Sequence, residues 1–549
     1  MANIYDKVPI KVQKKSGFDK SFQNLFTSKV GTVTPILTDE LIPNTTVNLR
    51  MAITTQLPPL ASDTFMRVKQ KYAAFFVPTR ILVPGYEKWL TNSERESSGS
   101  TGKVLMPTFQ FKGNTNKSLY APGTLLDYLG FKSNPLTGTT TDADIELSAL
   151  PMLAYHKIWN DWFRNTLVQN DIFEDVMDSQ SKGYSAGTSN TIIPNSLATT
   201  NYRMTFGTGA SGVAGSSRFA DGIDLSDLRQ ANFGSDIYTS CTPQPQNGEA
   251  QSVSFAMPEN AGDDGSFTIS ALRAANSMQQ FLERNNLAGN RLVDYVKAQY
   301  GANLSDAIAQ RPILIGSGSF DVYSKGIYQT SNFQDNGGET LQNPMSGVAA
   351  RFGSAYVDGN DLLIKGFTAQ EPGYLMVVTW LSPKVTYSTG VDPMLKRYIG
   401  YGKQSDMANP ILQNVGNEPI YAWQLSGTQA LVNNKSVFGY NERYANWKDK
   451  TDEVHGILRD GQSLQSFALQ RTFNLRPEIN TQFLTIPTTY LDQVSAVDGY
   501  ISNYGYWCDT YFDYKVSMPL ARYSVPSLQD PAYEHGEDIV IDRSGKQLS

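Results

Sequence analysis

The sequence predicts a mainly β fold, one β-sandwich whose connections carry long loop and helical insertions. Three observations predict it. Alternating apolar and polar runs stand near the N-terminus, a nearly continuous apolar run covers Tyr374 to Tyr387, and helical periods with a loop-rich excursion lie between them. Composition agrees: charged residues are 18% of 549, below the ~25% usual in soluble domains, and aromatics reach 11% with 29 Tyr and 26 Phe. At this length the chain buries a large core.

Val47, Leu49, Met51 and Ile53 alternate with Asn48, Arg50, Ala52 and Thr54, the pattern of a half-buried strand. A second period-2 run passes through Met66, Val68, Tyr72, Ala74 and Phe76, with Pro58-Pro59 before it and Pro78 and Pro84 closing it. Residues 92–147 read as a polar connector. The period then turns helical from Leu150 to Leu167, with Met152, Tyr155, Trp159, Trp162 and Phe163 on one face, Ser148 as the expected cap and Pro151 in the first turn. From Ser179 to Gly265 the chain is rich in Gly, Ser, Asn and Thr, which predicts an irregular excursion. Two helices follow, one lined by Leu272, Ala275, Gln279 and Leu282, the other by Leu292, Val293, Val296 and Tyr300, parted at Gly289. Strand character returns at Phe320–Tyr328, Leu362–Phe367 and Tyr374–Tyr387, the last predicted to be buried on both faces. No repeat period is visible, which excludes solenoids and propellers.

The first 30 residues hold Lys7, Lys11, Lys14, Lys15, Lys20 and Lys29 against Asp6 and Asp19, a net +4 that leaves −10 on the rest of a chain whose total is −6. A basic arm on an acidic body neutralises phosphates without reading sequence, so Lys7, Lys11, Lys14, Lys15 and Lys20 are the candidate DNA-contacting residues. A solvated terminus is the plainer reading of the same charges. No apolar run approaches the ~20 residues of a membrane helix, and Met1–Lys15 has no apolar core of a secretory signal, so the chain is expected to be soluble and to stay in the cytoplasm where it is made.

Chemistry-bearing motifs are expected to be absent. Cys241 and Cys508 are too few for a disulfide framework and form no CxxC pair, so both are read as free thiols and no metal or cofactor is expected. Gly207–Gly212 matches GxGxxG literally but opens no helix. His156, His455 and His535 are widely spaced; His156 is placed on the polar side of its helix with a structural role. Glu371 near Asp361, and Asp449 with Asp452, are read as solvated carboxylates instead of a glycosidase pair. Tyr and Trp clusters are assigned to the core or to subunit contacts before base or sugar stacking.

Several stretches resemble the major capsid protein of microviruses, in the gokushovirus branch. They are Thr34-Pro35-Ile36 through Leu41-Ile42-Pro43-Asn44-Thr45; Phe75-Phe76-Val77-Pro78-Thr79-Arg80; Ile158-Trp159-Asn160-Asp161-Trp162-Phe163-Arg164; Leu282-Glu283-Arg284 with Gly289-Asn290-Arg291 and Gln310-Arg311-Pro312; Phe438-Gly439-Tyr440-Asn441-Glu442-Arg443-Tyr444; and Tyr523-Ser524-Val525-Pro526-Ser527-Leu528. The resemblance implies a viral jelly roll of eight antiparallel strands with long loop and helical insertions, assembled into a small T=1 icosahedral shell around circular single-stranded DNA. It divides the chain into a basic arm over 1–30, jelly-roll core over 31–170 and 310–530, a surface insertion over 171–266 of the kind that clusters at threefold axes and contacts a host surface receptor, a helical insertion over 267–309 and a polar tail over 531–549. As partners it implies further copies of the chain, packaged DNA, a small basic DNA-binding protein, a pilot protein and an internal scaffolding protein. It places the protein in the virion, and in the host bacterial cytoplasm during assembly. Leu287-Ala288 departs from the family pattern before Gly289. Two other readings stay open: a non-viral β-sandwich that binds or cleaves glycans through loop aromatics, and another phage structural protein such as a tail spike.

Overall fold

A computed structural model describes residues 15–58, 60–61, 64–65, 67–83, 86–91, 106–112, 117–132, 144–172, 190–192, 203–206, 226–248, 269–289, 291–322, 351–355, 363–396, 416–427, 436–473, 476–495, 499–520 and 522. Lys7, Lys11, Lys14, Gly207–Gly212, Asn290, Asp361, His535 and Tyr523–Leu528 lie outside them.

Eight strands form the body. They are β1 (Ser16–Asp19 continued by Phe22–Ser28), β2 (Thr34–Leu41), β3 (Thr46–Leu57), β4 (Val68–Pro78), β5 (Ile313–Val322), β6 (Arg351–Ala355 and Ile364–Thr368), β7 (Gly373–Pro383) and β8 (Tyr506–Met518). Every pairing among them is antiparallel, and the orders are β1-β8-β3-β6 in one sheet and β2-β7-β4-β5 in the other. All but one of the chain-order connections switch sheets, which is the double Greek key of a jelly roll. The expected fold is present.

The alternation read at Val47–Ile53 extends along β3, where Val47, Leu49, Met51, Ile53, Thr55 and Leu57 turn inward and their neighbours outward. β7 has no polar face. Ten of its eleven residues are buried, because one side packs on the β1-β8-β3-β6 sheet and the other lies under a helix, α1 (Leu150–Ile158). Phe76 of β4 reaches Phe367 of β6 at 5.3 Å between ring centroids, while its neighbour Phe75 meets Trp162 at 5.5 Å on the opposite side. Two faces therefore demand two apolar sets, which is why β7 reads as a continuous run; β4, expected to alternate, is instead buried at every position from Tyr72 to Pro78 because it too is covered on both faces. Each fully buried Leu or Val here contributes about 1.5–3 kcal/mol.

A polar thread crosses between the sheets. Gln70 Nε2 donates to Thr379 Oγ1 at 2.6 Å, Thr379 Oγ1 donates to Lys71 O at 3.0 Å, and Thr55 Oγ1 lies 3.4 Å from Gln70 Oε1 and 3.3 Å from Cys508 Sγ. Gln70, Thr55 and Thr379 are fully buried, so each polar group depends on these partners.

The sequence missed β1. Residues 16–28, expected as part of an arm, supply an edge strand on β8, since Phe18, Phe26 and Ser28 face inward at period 2 beneath the lysine count that dominated the reading. The two longest connections are residues 79–312, which join neighbouring strands β4 and β5, and residues 384–505, which join β7 to β8. Within the expected surface excursion, residues 226–248 belong to the body. Ala231, Phe233, Ile237, Tyr238 and Cys241 are buried, with Ala231 N bonded to Gly31 O at 2.7 Å and Phe233 N to Leu484 O at 2.9 Å. Strands Asn190–Ile192 and Arg203–Phe206 extend a small antiparallel sheet begun by Thr108–Lys112 and Asp144–Ser148.

α1 starts one residue later than the capping signal implied. Ala149 occupies the cap position, and Ser148 Oγ accepts from Leu150 N at 3.4 Å. Its C-terminal end widens into a π turn over Trp159–Phe163, closed by Arg164 N to Trp159 O at 3.0 Å. The helix has no polar side: segment 226–233 covers its second face, leaving His156 fully buried with Nδ1 accepting from Arg229 Nε at 3.3 Å. The histidine is structural, but not on the exposed face expected.

Both thiols are free and buried. Burial pushes the Cys508 thiol up to about 12, and burial with Glu40 nearby pushes Tyr374 up to about 12. Each group binds its proton more tightly folded than unfolded, where a thiol titrates near ~8.5 and a phenol near ~10. Their contribution to stability is complete below those values and is lost as pH rises through 12. The urea midpoint of the full chain should hold up to about pH 8 and fall steadily above about pH 9; a flat profile to pH 12 would contradict the burial assigned to both groups. In the same assay Leu375→Ala should cost about 2–5 kcal/mol by opening a cavity under β7.

Candidate functional site

The candidate DNA-contacting lysines fall into two situations. Lys15 directly precedes β1 and is exposed, its ammonium 3.4 Å from Thr46 Oγ1. Lys20 sits at the break between the two halves of β1, paired with Asp39 of β2 and 5.4 Å from the centroid of the Tyr514 ring. Tyr514 Oη donates to the same carboxylate at 2.6 Å. Burial first, then Asp39, pushes the Tyr514 hydroxyl far above the usual phenol range, so it remains a donor. Lys20 is thus matched within the chain and ties β1, β2 and β8 together.

Four of the motifs separated in sequence meet in one place. Trp162 of the π turn donates from Nε1 to Pro312 O at 2.9 Å, and the Arg311 guanidinium lies over its ring at 4.4 Å. Arg291 Nη2 donates to Asn160 O at 3.0 Å and to Arg164 O at 2.8 Å, carbonyls at the end of the helix, the first of which also accepts from Arg164 Nε at 3.4 Å. Arg80, which follows β4, is held by Glu371 at 3.0 Å and also donates to Gln310 Oε1. Phe163 closes the junction edge-on against Trp380 of β7 at 4.8 Å. Gly289 permits the approach: its φ is +107°, and a Cβ there would stand 2.9 Å from Asp294 Oδ2. Three helices' worth of chain is pinned to the strand body here, because α2 (Ile269–Ala288) and α3 (Leu292–Tyr300) flank that glycine.

A second junction is built from Phe438–Tyr444. Its strand, Val437–Glu442, exchanges backbone bonds with Thr242 at 2.8 Å in each direction, and Asn441 Nδ2 donates to Ile237 O at 2.8 Å. Asp236 turns the facing segment by accepting from Tyr238 N at 2.9 Å and Thr239 N at 2.7 Å, and its other oxygen takes the Tyr387 hydroxyl at 2.7 Å. These motifs are clamps, not catalytic groups.

Carboxylates weighed as catalytic pairs are committed elsewhere. Glu371 holds Arg80, and Asp452 holds Lys384 at 2.6 Å and Arg67 at 3.4 Å. Among the described residues no group of three or more His, Cys, Asp or Glu is arranged to hold a metal ion, and no helix is long and apolar enough to cross a membrane. By contrast, α2 buries only Asn286, leaving Ile269 and Leu272 67% and 47% exposed one turn apart. Phe65 and Leu25 are 81% and 71% exposed on the body.

Trp162→Phe keeps an aromatic face for Arg311 but removes the half-buried indole donor and the volume of its five-membered ring; it should cost about 1–3 kcal/mol in denaturant unfolding, and no measurable loss would mean that the Pro312 carbonyl finds water and the gap closes.

The comparisons with known proteins agree along nearly the whole chain. A family profile described as "Capsid protein (F protein)" matches residues 7–528. Capsid protein VP1 of Chlamydia phage 1 is 25% identical, covering 96% of this chain and 98% of that protein. Capsid protein VP1 of Bdellovibrio phage phiMH2K is 25% identical over 95% and 97%, and that of Spiroplasma virus 4 is 25% identical over 90% and 91%.

Proposed function

Because the chain belongs to the phage Capsid protein (F protein) family, we propose that its copies close into a small icosahedral shell, one coat subunit per asymmetric unit, around a circular single-stranded DNA genome. It is a major capsid protein, structural and not enzymatic, and its place is the virion. The observation that carries the reading is the match to VP1 coat proteins over at least 90% of the chain. The double Greek key supports it. With both faces of β4 and β7 covered inside one subunit, the connections 79–312 and 384–505 are left to meet neighbours. Exposed Phe65, Ile269 and Leu272 suit such contacts, since shell closure sums many modest interfaces.

The lysines upstream of β1 form the DNA-contacting part of the chain. Lys7, Lys11, Lys14 and Lys15 precede the first strand, and Lys15 is exposed where it starts; Lys20 is the weakest of the five candidates because Asp39 already balances it. The insertion over 171–266, apart from the body segment 226–248, is the candidate threefold protrusion and host-receptor surface. The small basic DNA-binding protein, pilot protein and internal scaffolding protein remain proposed partners, with assembly in the host bacterial cytoplasm.

Expression with the adjacent phage genes followed by negative-stain electron microscopy should give uniform small icosahedral particles with protrusions; persistent monomers would sink the shell reading. Replacing Lys7, Lys11, Lys14 and Lys15 together with Ala should flatten the salt dependence of single-stranded DNA binding by about 3 in log–log slope, and unchanged packaging and unchanged salt response would remove the arm from the mechanism.

A further inference from the structure

We propose that the cleft between the π turn after α1, the start of α3 and the turn at 309–311 binds a phosphate group of single-stranded nucleic acid. The inference rests on the reading that the shell encloses such DNA, and it adds a contact distinct from the lysines before β1.

The cleft measures about 500 Å³, within the ~300–1,000 Å³ of small-ligand clefts. Four cations line it, Lys157, Arg164, Arg291 and Arg311, against two carboxylates, Asp161 and Asp171. Both carboxylates are already taken: Lys157 meets Asp161 at 3.2 Å and Arg164 meets Asp171 at 3.0 Å. Arg311 leans on Asp306 at 2.7 Å, outside the lining.

Arg291 differs from the other three. The acceptors that hold it are the backbone carbonyls of Asn160 and Arg164, which orient a guanidinium without cancelling its charge. Burial and the neighbouring Arg164 lower its pKa, with Arg311 adding to the effect, while Asp294 and Asp161 act the other way. An anion entering the cleft relieves the repulsion among these guanidinium groups and offers them bidentate acceptors.

Two further observations select the ligand. α3 is nine residues long, and Leu292 and Val293 of its first turn line the cleft, so the positive end of its dipole opens there. No aromatic side chain lines it among the described residues, so it offers no stacking platform for a base. What it can recognise is the backbone phosphate, a contact that positions a strand and is indifferent to its sequence.

The test is arginine footprinting of the purified full chain with phenylglyoxal, read by peptide mass spectrometry, at matched ionic strength in chloride, in inorganic phosphate and with a short oligothymidylate. At ligand tenfold above its dissociation constant, modification of Arg291 and Arg311 should slow by roughly tenfold relative to chloride, with the oligonucleotide effective at lower concentration than phosphate. Because Arg291 also anchors the π turn, the wild-type footprint is the primary readout; Arg291→Lys should keep protection of Arg311 and Arg291→Gln should lose it. Protection by neither ligand overturns the proposal. Protection by phosphate but not by the oligonucleotide overturns the nucleic-acid assignment, as does protection of both arginines in DNA-free particles, which would mean that a neighbouring copy's carboxylates fill the cleft. The variant with Lys7, Lys11, Lys14 and Lys15 replaced should retain the footprint, and particles devoid of DNA around a chain that still shows it would fault the genome reading and leave the cleft standing.

Discussion

The pairing of β4 with β7 is the constraint on which the remaining structure depends. Their ladder runs from Gly373 opposite Pro78 to Pro383 opposite Val68, and from Tyr72 to Pro78 of β4, opposite Gly373 to Thr379 of β7, both faces are buried. A sheet apolar on both sides must be covered on both sides. One cover is the β1-β8-β3-β6 sheet; the other is α1 with its π turn, held by Phe75, Trp380 and the Tyr155 hydroxyl, which donates to Val33 O at 2.7 Å. A helix therefore had to be inserted between β4 and β5 and returned onto the strands that bracket it. The long connection over 79–312 follows from that need as much as from any surface role.

Ends of that returning helix create the next requirement. A helix buried along its length leaves terminal carbonyls that need donors, and the π turn brings the carbonyls of Asn160 and Arg164 together where one guanidinium serves both. Arginine suits the place because its planar fork keeps its charge when half-buried. Trp162 meets the same demand from the other side, with an indole donor for Pro312 and a ring face for Arg311. The family-like motifs with the most specific residues are thus the points where insertions are fastened to the sandwich. The concentration of cations that makes them good fasteners also makes the adjoining cleft electropositive on a chain whose net charge is −6.

A coat protein needs a rigid body and adaptable periphery, and the distribution of burial matches that division. β7, β4 and α1 are buried almost throughout, whereas α2 buries a single residue and presents Ile269 and Leu272 to solvent. Side chains of that kind gain their stabilisation from a neighbour instead of from their own core. The Lys20, Asp39 and Tyr514 cluster lies between the two regimes: Lys20 is balanced there, whereas Lys15, directly before β1, is exposed.

Much of this was legible along the chain. Val47 to Ile53 declared a one-sided strand, Tyr374 to Tyr387 a two-sided one, and Leu150 onward a helix, because period and composition are local properties that burial imposes residue by residue. That helix ends in a π turn at Phe163 and not at Leu167. Mainly β class and membership of the coat-protein family followed from the sequence. The first strand did not: in Phe22–Ser28 an alternating pattern competes with a lysine-rich setting, and pairing with β8, nearly 500 residues away, resolves it. Nor did the body segment 226–248, whose Phe233, Ile237 and Cys241 are diluted among polar residues and are buried only once Gly31, Leu484 and Tyr440 close around them. His156 has the neighbours of a surface residue and the environment of a core one. The electropositive cleft is the extreme case, since Lys157, Arg164, Arg291 and Arg311 share no sequence spacing at all. What the sequence by itself determined is which segments must be covered; which segment covers which, and therefore where charges from distant motifs accumulate, was decided by tertiary packing, because burial is imposed locally and satisfied only at long range.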